Sequence, residues 1–286
     1  MLLAVLQGVS ELFPISSLGH TVLIPALLRW PVAESSESFL AFVVALHLGT
    51  ALALVAFYRR TWVGIVRGLT RSVVRGRIGA DRDERIGWLL VAGTVPVGIL
   101  GVLFEPAVRL LFGSPLAVAW FLVANAGVMF AGEALRVRRE TRIQRETLNP
   151  APAGVRLEDL AWQRGALVGV AQALALLPGI SRSGSAIVAG LLAGLDHEDA
   201  ASFSFLLATP VILAASVLEV PKLFAPAVRG IGLEALAGGV LAAVTAYASV
   251  AFLTRYFRHN DLRPFGWYCL ILGGVSVVLF ATKVIA

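Results

Sequence analysis

Long apolar runs, separated by short polar ones, recur along the whole chain, and they come in two kinds. Phe39–Tyr58, Trp88–Phe104, Leu116–Leu135, Phe203–Leu218, Ala235–Leu253 and Phe265–Ile285 are clean. Each approaches the ~20 residues that a helix needs to cross a bilayer, Phe203–Leu218 and the Pro96-containing run being the shortest. Met1–Leu28 and Gly165–Leu195 are as long, but polar residues and prolines interrupt their middles. The pattern predicts six membrane-spanning helices and two broken, re-entrant hairpins.

The second interrupted run organises the rest. From Gly169 to Leu195 it reads GVAQALALLPGISRSGSAIVAGLLAGL, with Pro178, Gly179, Ser181, Arg182, Ser183, Gly184 and Ser185 at its centre. Arginine at the bilayer centre costs at least ~2.5–3.5 kcal/mol, so it faces a cavity or a partner. Proline lacks an amide hydrogen and glycine permits turns that other residues resist. The expected form is helix, break, helix, with backbone N–H groups at a helix start beside a guanidinium. That is an anion site, and phosphate is the anion it fits. Gly179, Ser181, Ser183 and Gly184 are its candidate phosphate contacts, with Ser16 from the first hairpin. A plain Pro-Gly kink would explain the serines, which can bond back to their own helix, but not Arg182.

Composition narrows the class. The chain of 286 residues is 58% hydrophobic, with a mean hydropathy of +0.82. That exceeds the need of a soluble core, so the chain is read as a polytopic membrane protein. Its formal charge of +6 is nearly all arginine, clustered in a few segments. Such clustering reports membrane orientation rather than nucleic-acid binding, and no nucleic-acid partner is expected. The single cysteine, Cys269, leaves no intramolecular disulfide and no cysteine metal site. The start, MLLAVLQGVSELFPIS, lacks a basic n-region and a small-residue cleavage site, so no cleaved signal peptide is expected. Trp and Phe residues at span ends suit an interfacial belt.

Orientation follows from the arginines. The polar loop Arg59–Gly87 holds eight arginines and three acids. With the arginine-rich segments Arg136–Arg164 and Arg255–Arg263 it is expected in the cytoplasm. Arg29–Ser38, Glu105–Pro115 and Glu219–Glu234 then lie outside, and Gly165–Leu195 enters and leaves from the cytoplasm. Met1–Leu28 enters from outside. The chain thus divides into a first repeat, 1–135 (hairpin 1–28; spans 39–58, 88–104, 116–135), a cytoplasmic linker, 136–164, holding Pro150 and Pro152, and a second repeat, 165–286 (hairpin 165–195; spans 203–218, 235–253, 265–285). Three spans invert the second copy. Gln7, Ile15, Ser16 and Gly19 align with Gln172, Ile180, Ser181 and Gly184 at one constant offset. The fold class is therefore an all-α polytopic membrane protein, an inverted repeat with its site near the midplane.

Glu11 and His20 of the first hairpin and Arg182 of the second are the ionisable groups expected to converge there. Gln7 and Glu11, four apart, share a helix face and could hold a hard divalent cation through oxygen. Ser17 or His20 beside a clamped phosphate could attack it or move a proton. Glu11 could instead simply pair with Arg182, and His20 could be a satisfied structural histidine. His47, Asn125 and Glu133 are taken as structural, since nothing polar accompanies them in sequence. The DHED run Asp196–Asp199 reads as a helix cap and solvated turn rather than a metal site.

The stretches QGVSELFPISSLGH and LPGISRSGSA resemble the two motifs of the undecaprenyl-diphosphatase family, the bacitracin-resistance integral membrane phosphatases. The first runs from a Glu-or-Gln, three residues, Glu pattern into a Pro-x-Ser-Ser-x-Gly-His block, and the second is a Pro-Gly-x-Ser-Arg-Ser-Gly block. The likeness extends to ASFSFLLATPVILAAS and, in spacing, to the whole chain. It implies hydrolysis of undecaprenyl diphosphate to the monophosphate in the bacterial plasma membrane. That reaction recycles the lipid carrier for cell-wall synthesis and confers bacitracin resistance. It further implies Mg²⁺ or Ca²⁺ as cofactor, an outward-facing site and catalytic roles for Glu11, Ser17, His20 and Arg182, with Gln7 and Glu11 at the metal. The nucleophile, Ser17, His20 or water, stays open. Leu18 departs from the usual Thr or Ser, leaving one hydroxyl fewer near the phosphate. The expected partners are a prenyl diphosphate lipid and membrane lipids, with a homodimer as the candidate assembly.

Two other functions fit parts of the pattern. A transporter or flippase of a prenyl phosphate lipid shares inverted repeats and broken helices, but phosphate binding alone has no need of Glu11, Ser17 and His20 together. A phosphatidic-acid-type phosphatase needs a lysine motif, and the only lysines, Lys222 and Lys283, stand in no such setting. Cysteine-accessibility mapping should place Arg59–Gly87 and Arg136–Arg164 on one side of the membrane; opposite sides would refute the orientation.

Overall fold

The computed structural model describes residues 1–30, 37–112, 114–147, 154–219 and 232–285. Residues 31–36 of the expected outer loop Arg29–Ser38, residues 220–231 of the expected outer loop Glu219–Glu234, and Pro150 and Pro152 of the linker lie outside them. The helices are α1 (Leu2–Ser10), α2 (Ser17–Leu28), α3 (Glu37–Phe57), α4 (Arg59–Arg75), α5 (Arg82–Phe112), α6 (Pro115–Thr147), α7 (Trp162–Ala171), α8 (Arg182–Ala193), α9 (His197–Glu219), α10 (Gly232–Tyr256) and α11 (Arg263–Ala281). Among the described residues there is no strand, only an isolated bridge between Val155 and Leu195.

Six helices, α3, α5, α6, α9, α10 and α11, are long and apolar enough to cross a membrane. Their outer faces carry exposed Leu52, Val95, Ile99, Trp120, Val240, Val244, Ile271 and Val278, a surface that water would not tolerate. The chain is an all-α, multi-pass membrane protein. Helices α2 and α8, of 12 residues each, are only about 18 Å long at 1.5 Å per residue. With α1 and α7 they form two hairpins packed against the longer helices. Phe203, Phe205, Leu12 and Leu23 fill the core between them.

The hairpins enter from opposite ends of the bundle. Arg29, just past α2, donates to Val284 O at the C-terminal end of α11. The other end of α11 meets Glu133, which accepts from Leu262 N at 3.0 Å and from His197 Nε2 at 2.7 Å. The end of α8 lies at that second end, where Val155 N donates to Gly194 O. We call it the arginine-rich end, because Arg136, Arg139, Arg258 and Arg263 gather there.

In lipid, helices associate through close packing of small residues rather than through the hydrophobic effect. Helix α1 packs on α10 at Gly8, where a Cβ would lie 2.4 Å from Ala242 O, and α7 packs on α5 at Gly169, where a Cβ would lie 2.3 Å from Gly93 Cα. Each hairpin therefore leans on a helix of the other half of the chain.

Three segments differ from the sequence reading, the first being the expected outer loop Glu105–Pro115, which is helical through Phe112 as the end of α5. The expected polar loop Arg59–Gly87 is mostly helix: α4 buries Ile65, Gly68 and Ser72 at helical spacing, and Trp88 Nε1 donates to Ser72 Oγ. Its arginine count had hidden that period. Likewise the Arg136–Arg164 segment begins as a continuation of α6, held by the i,i+4 pairs Arg136–Glu140 and Arg142–Glu146. The DHED turn is a cap: Asp196 Oδ1 accepts from Asp199 N at 2.7 Å.

Candidate active site

The tips of the hairpins meet inside the bundle. Helix α1 ends at Glu11, and the chain turns through Phe13–Pro14–Ile15 into α2. Ser16 is the N-cap of α2, its Oγ accepting from Gly19 N at 3.2 Å. Ser181 is the N-cap of α8, its Oγ accepting from Gly184 N at 3.1 Å. The two serines do the same job at the two breaks. Ser16 does so at φ +69°, a conformation that costs a non-glycine residue about 1–3 kcal/mol and persists only when its surroundings hold it. Here His20 holds it: its N and Nδ1 both donate to Ser16 O, at 3.2 and 2.7 Å.

Asn125 of α6 stitches the tips together. Its Nδ2 donates to Pro14 O and its Oδ1 accepts from Ser181 N, both at 3.0 Å. Ser183 Oγ donates to Phe13 O at 3.1 Å. The backbones touch: Gly179, at φ +113°, packs against Val118 O, and its Cα lies 3.2 Å from where a Cβ on Gly19 would stand. The starts of α2 and α8 are thereby brought side by side, and both positive helix ends address one space.

Glu11 sits at that junction. Its Oε2 accepts from Ser17 Oγ at 2.5 Å and from Gln7 Nε2 at 3.0 Å, and its Oε1 accepts from Arg182 Nη2 at 3.2 Å. His47 Nε2 of α3 lies 3.6 Å from Oε2. The pair is nearly dry, with Glu11 and Arg182 side chains 8% and 12% exposed. Arg182 Nη1 reaches toward Ser204 O of α9. A buried pair of this kind is lost at a cost of about 3–5 kcal/mol if one partner is removed alone. The arrangement offers a hydroxyl on a carboxylate base, with a guanidinium beside both.

The structure thus brings Gln7, Glu11, Ser17 and Arg182 into contact and leaves His20 apart. Ser16 O can only accept, so His20 Nδ1 carries the hydrogen, and Nε2 accepts from Tyr268 Oη at 2.7 Å. His20 stacks on the Tyr268 ring and touches neither Ser17 nor Glu11 through a hydrogen bond. The amides expected to receive phosphate are also partly spent: Ser181 N on Asn125, Gly184 N on Ser181 Oγ. What the first turn of α8 leaves unbonded, among the described residues, is the N–H pair of Arg182 and Ser183. Asn125, His47 and Glu133 do have polar partners, contrary to the sequence reading. Apart from Arg136, three residues after Glu133, the side-chain partners of Glu133 and His47 and the partners of Asn125 stand tens of residues away, where no local pattern announces them.

Glu11 and Ser17 supply carboxylate and hydroxyl oxygens in contact, and Gln7, which meets Glu11 through its amide nitrogen, carries an amide oxygen on the same group, a set that suits a hard cation. Among the described residues no group of three or more His, Cys, Asp or Glu stands together. The residues fit an ion shared with phosphate oxygens, in the manner of Mg²⁺, rather than one caged by protein alone.

Fold and site together define a polytopic membrane protein with a buried, anion-directed centre where two broken helices meet. The family model described as bacitracin resistance protein BacA matches residues 1–275, and the chain belongs to that family. It is 49% identical over 291 residues to the undecaprenyl-diphosphatase of Mycobacterium avium (strain 104), covering 97% of this chain and 95% of that one. It is 46% identical over 284 residues to the undecaprenyl-diphosphatase of Acidiphilium cryptum, covering 98% and 96%. With undecaprenyl-diphosphatase 2 of Frankia alni it shares 43% identity over 331 residues, again covering 98% and 96%.

Because Asn125 satisfies buried groups on both hairpins, Asn125→Leu should leave Ser181 N and Pro14 O unpaired. At about 1–3 kcal/mol for each orphaned group, a loss of roughly 2–6 kcal/mol is expected. Thermal unfolding in detergent should show it as a clear fall in midpoint together with lost activity; an unchanged midpoint would remove Asn125 from this role.

Proposed function

We propose that the protein hydrolyses undecaprenyl diphosphate to undecaprenyl phosphate and inorganic phosphate, so recycling the lipid carrier of cell-wall synthesis and supporting bacitracin resistance. The observation that carries this reading is the Ser17–Glu11 contact beside Arg182 at the meeting of two helix N-termini. A protein that only bound or moved a lipid phosphate would need the guanidinium and the amides, but no hydroxyl on a buried base.

In the proposed course, the terminal phosphate enters between the starts of α2 and α8. Arg182 turns part of its fork from Glu11 to phosphate oxygens, and the free N–H groups of Arg182 and Ser183 add to the cradle. Ser17 Oγ attacks the terminal phosphorus as Glu11 takes its proton, and the anhydride P–O bond breaks to release the prenyl monophosphate. Glu11 passes that proton to the departing monophosphate oxygen and is then free to deprotonate a water that attacks the phosphoserine; the P–Oγ bond breaks, Ser17 Oγ takes the proton back from Glu11, and inorganic phosphate leaves. His20 acts as a positioning residue: with Tyr268 it fixes the strained Ser16 and hence the start of α2. Gln7 and Glu11 would hold Mg²⁺ or Ca²⁺ jointly with the diphosphate. Such an ion screens the diphosphate's charge.

The prenyl chain would lie among the lipid-facing helices. The reciprocal packing of α1 on α10 and of α7 on α5 supports reading the halves as inverted repeats, with boundaries near residues 135 and 165. The gathering of arginines at the far end of α8 supports a bacterial plasma membrane location with the site opening to the outer side. A homodimer is the proposed assembly.

Four variants test the roles. Arg182→Lys keeps the charge but loses the planar fork, and should insert and fold while hydrolysing a long-chain prenyl diphosphate about 10²–10³-fold more slowly. Ser17→Ala and Glu11→Gln should each abolish most turnover, and Glu11→Gln should also change the response to chelator. If Arg182 served only as the structural partner of Glu11, Lys would substitute well, and Arg182→Ala with Glu11→Ala would restore stability and activity together. Near-normal turnover in Arg182→Lys would refute the phosphate clamp.

A further inference from the structure

At the arginine-rich end of the bundle, two guanidinium groups from different helices converge on the last turn of α8. Arg139 of α6 donates through Nη1 to Leu192 O at 3.2 Å, and Arg164 of α7 donates through Nη1 to Ala193 O at 2.9 Å. Cations near a helix C-terminus are favourable, but this helix is already ended by other means. Gly194 adopts φ +107°, and Leu195 N and Gly194 N donate to Gly190 O and Leu191 O, the pattern of a glycine-terminated helix. The two carbonyls that this termination leaves open, Leu192 O and Ala193 O, are the ones the arginines take, each with a single N–H group. Gly194 also makes room for one of them, since a Cβ there would meet both Nη atoms of Arg139 at 3.2 Å.

Bonded to successive carbonyls, the two guanidinium groups are close neighbours, and neither has a carboxylate partner among the described residues. Like charges so placed repel unless an anion lies between them. Each guanidinium has five N–H donors, so most remain to be used. Together they line an open groove of about 530 Å³ with Leu167, Ala189, Leu192 and Ala193, a volume within the range of small-ligand sites. The rest of the groove is apolar and uncovered: Leu167 is 65% and Leu192 43% exposed, and Val170 continues the apolar surface along α7. A doubly cationic head beside an exposed aliphatic wall matches an amphiphile with an anionic head.

We propose that this groove is a second lipid site, in which Arg139 and Arg164 clamp the phosphate of a lipid headgroup and its chain lies on Leu167, Val170 and Leu192. Basic pockets between transmembrane helices bind such headgroups. The site stands at the opposite end of the 12-residue α8 from Arg182, about 18 Å away, and does not rest on the hydrolytic reading. Two sources share its chemistry: an anionic phospholipid of the bilayer, and a prenyl monophosphate.

The test uses the full-length protein, delipidated in neutral detergent, and native mass spectrometry. Wild type, Arg139→Gln with Arg164→Gln, and Arg182→Lys would each be titrated with dioleoyl phosphatidic acid, dioleoyl phosphatidylglycerol, dioleoyl phosphatidylcholine and geranylgeranyl monophosphate. Gln can still donate to the Leu192 and Ala193 carbonyls, so the lipid-free thermal midpoint should hold. The double Gln variant should bind at least one anionic lipid about tenfold or more weakly, while Arg182→Lys keeps that binding. Loss confined to the two phospholipids identifies bilayer lipid as the ligand; loss confined to geranylgeranyl monophosphate identifies the prenyl lipid. Should the pair of substitutions fail to fold, the single variants Arg139→Gln and Arg164→Gln carry the same comparison. Unchanged affinity for every anionic lipid, or phosphatidylcholine bound as tightly as phosphatidic acid, would overturn the proposal.

Discussion

A carboxylate placed deep among membrane helices is tolerable only with partners, and Glu11 has Ser17, Gln7, Arg182 and the nearby His47 around it. Arg182 has the converse need. Neither hairpin can meet that need alone, because the carboxylate is on one and the guanidinium on the other. The pair therefore couples the two broken segments: each hairpin is in place only when the other is. The interrupted backbone at the breaks adds the same constraint. Irregular chain at this depth must be bonded within protein. Asn125 and Ser183 do this across the hairpins, while Ser16 and Ser181 do it within them.

That constraint also makes the chemistry. Closing the breaks requires two capped helix starts, and capped helix starts placed together concentrate positive potential where an anion can use it. The ion pair that joins the hairpins also gathers the groups that the proposed hydrolysis would use: the guanidinium lies on the carboxylate, and the carboxylate accepts from Ser17 Oγ at 2.5 Å. Strain at Ser16 is retained in the same place, held by His20, which is in turn held by Tyr268.

Around this centre the longer helices do two jobs. Small residues let α1 and α7 approach α10 and α5 closely, so the hairpins are fixed by packing as well as by polar contacts. At the arginine-rich end a separate polar layer ties α6, α9 and α11 together through Glu133, His197, Arg136 and Leu262 N. The two polar layers are joined through α8, whose N-terminus lies in one and whose C-terminus lies in the other.

The sequence by itself determined the class of fold and the chemical type of the site. Apolar runs of bilayer length, two of them broken by Pro, Gly, Ser and one arginine, are local patterns, and local patterns are legible along a chain. So were Gln7, Glu11 and Ser17, which lie within eleven residues of one another, and Arg182, which stands out because lipid penalises it. Amphipathic order within arginine-rich segments was not read, because charge there masked the spacing of Ile65, Gly68 and Ser72. Only the tertiary structure decided which polar residues meet. It gave Asn125 its bonds to Pro14 and Ser181, set His47 beside Glu11, moved His20 onto Tyr268 and consumed the Ser181 and Gly184 amides in capping. The reason is physical: a buried polar group must find a partner somewhere, but sequence shows only the need, while packing of distant helices selects the partner.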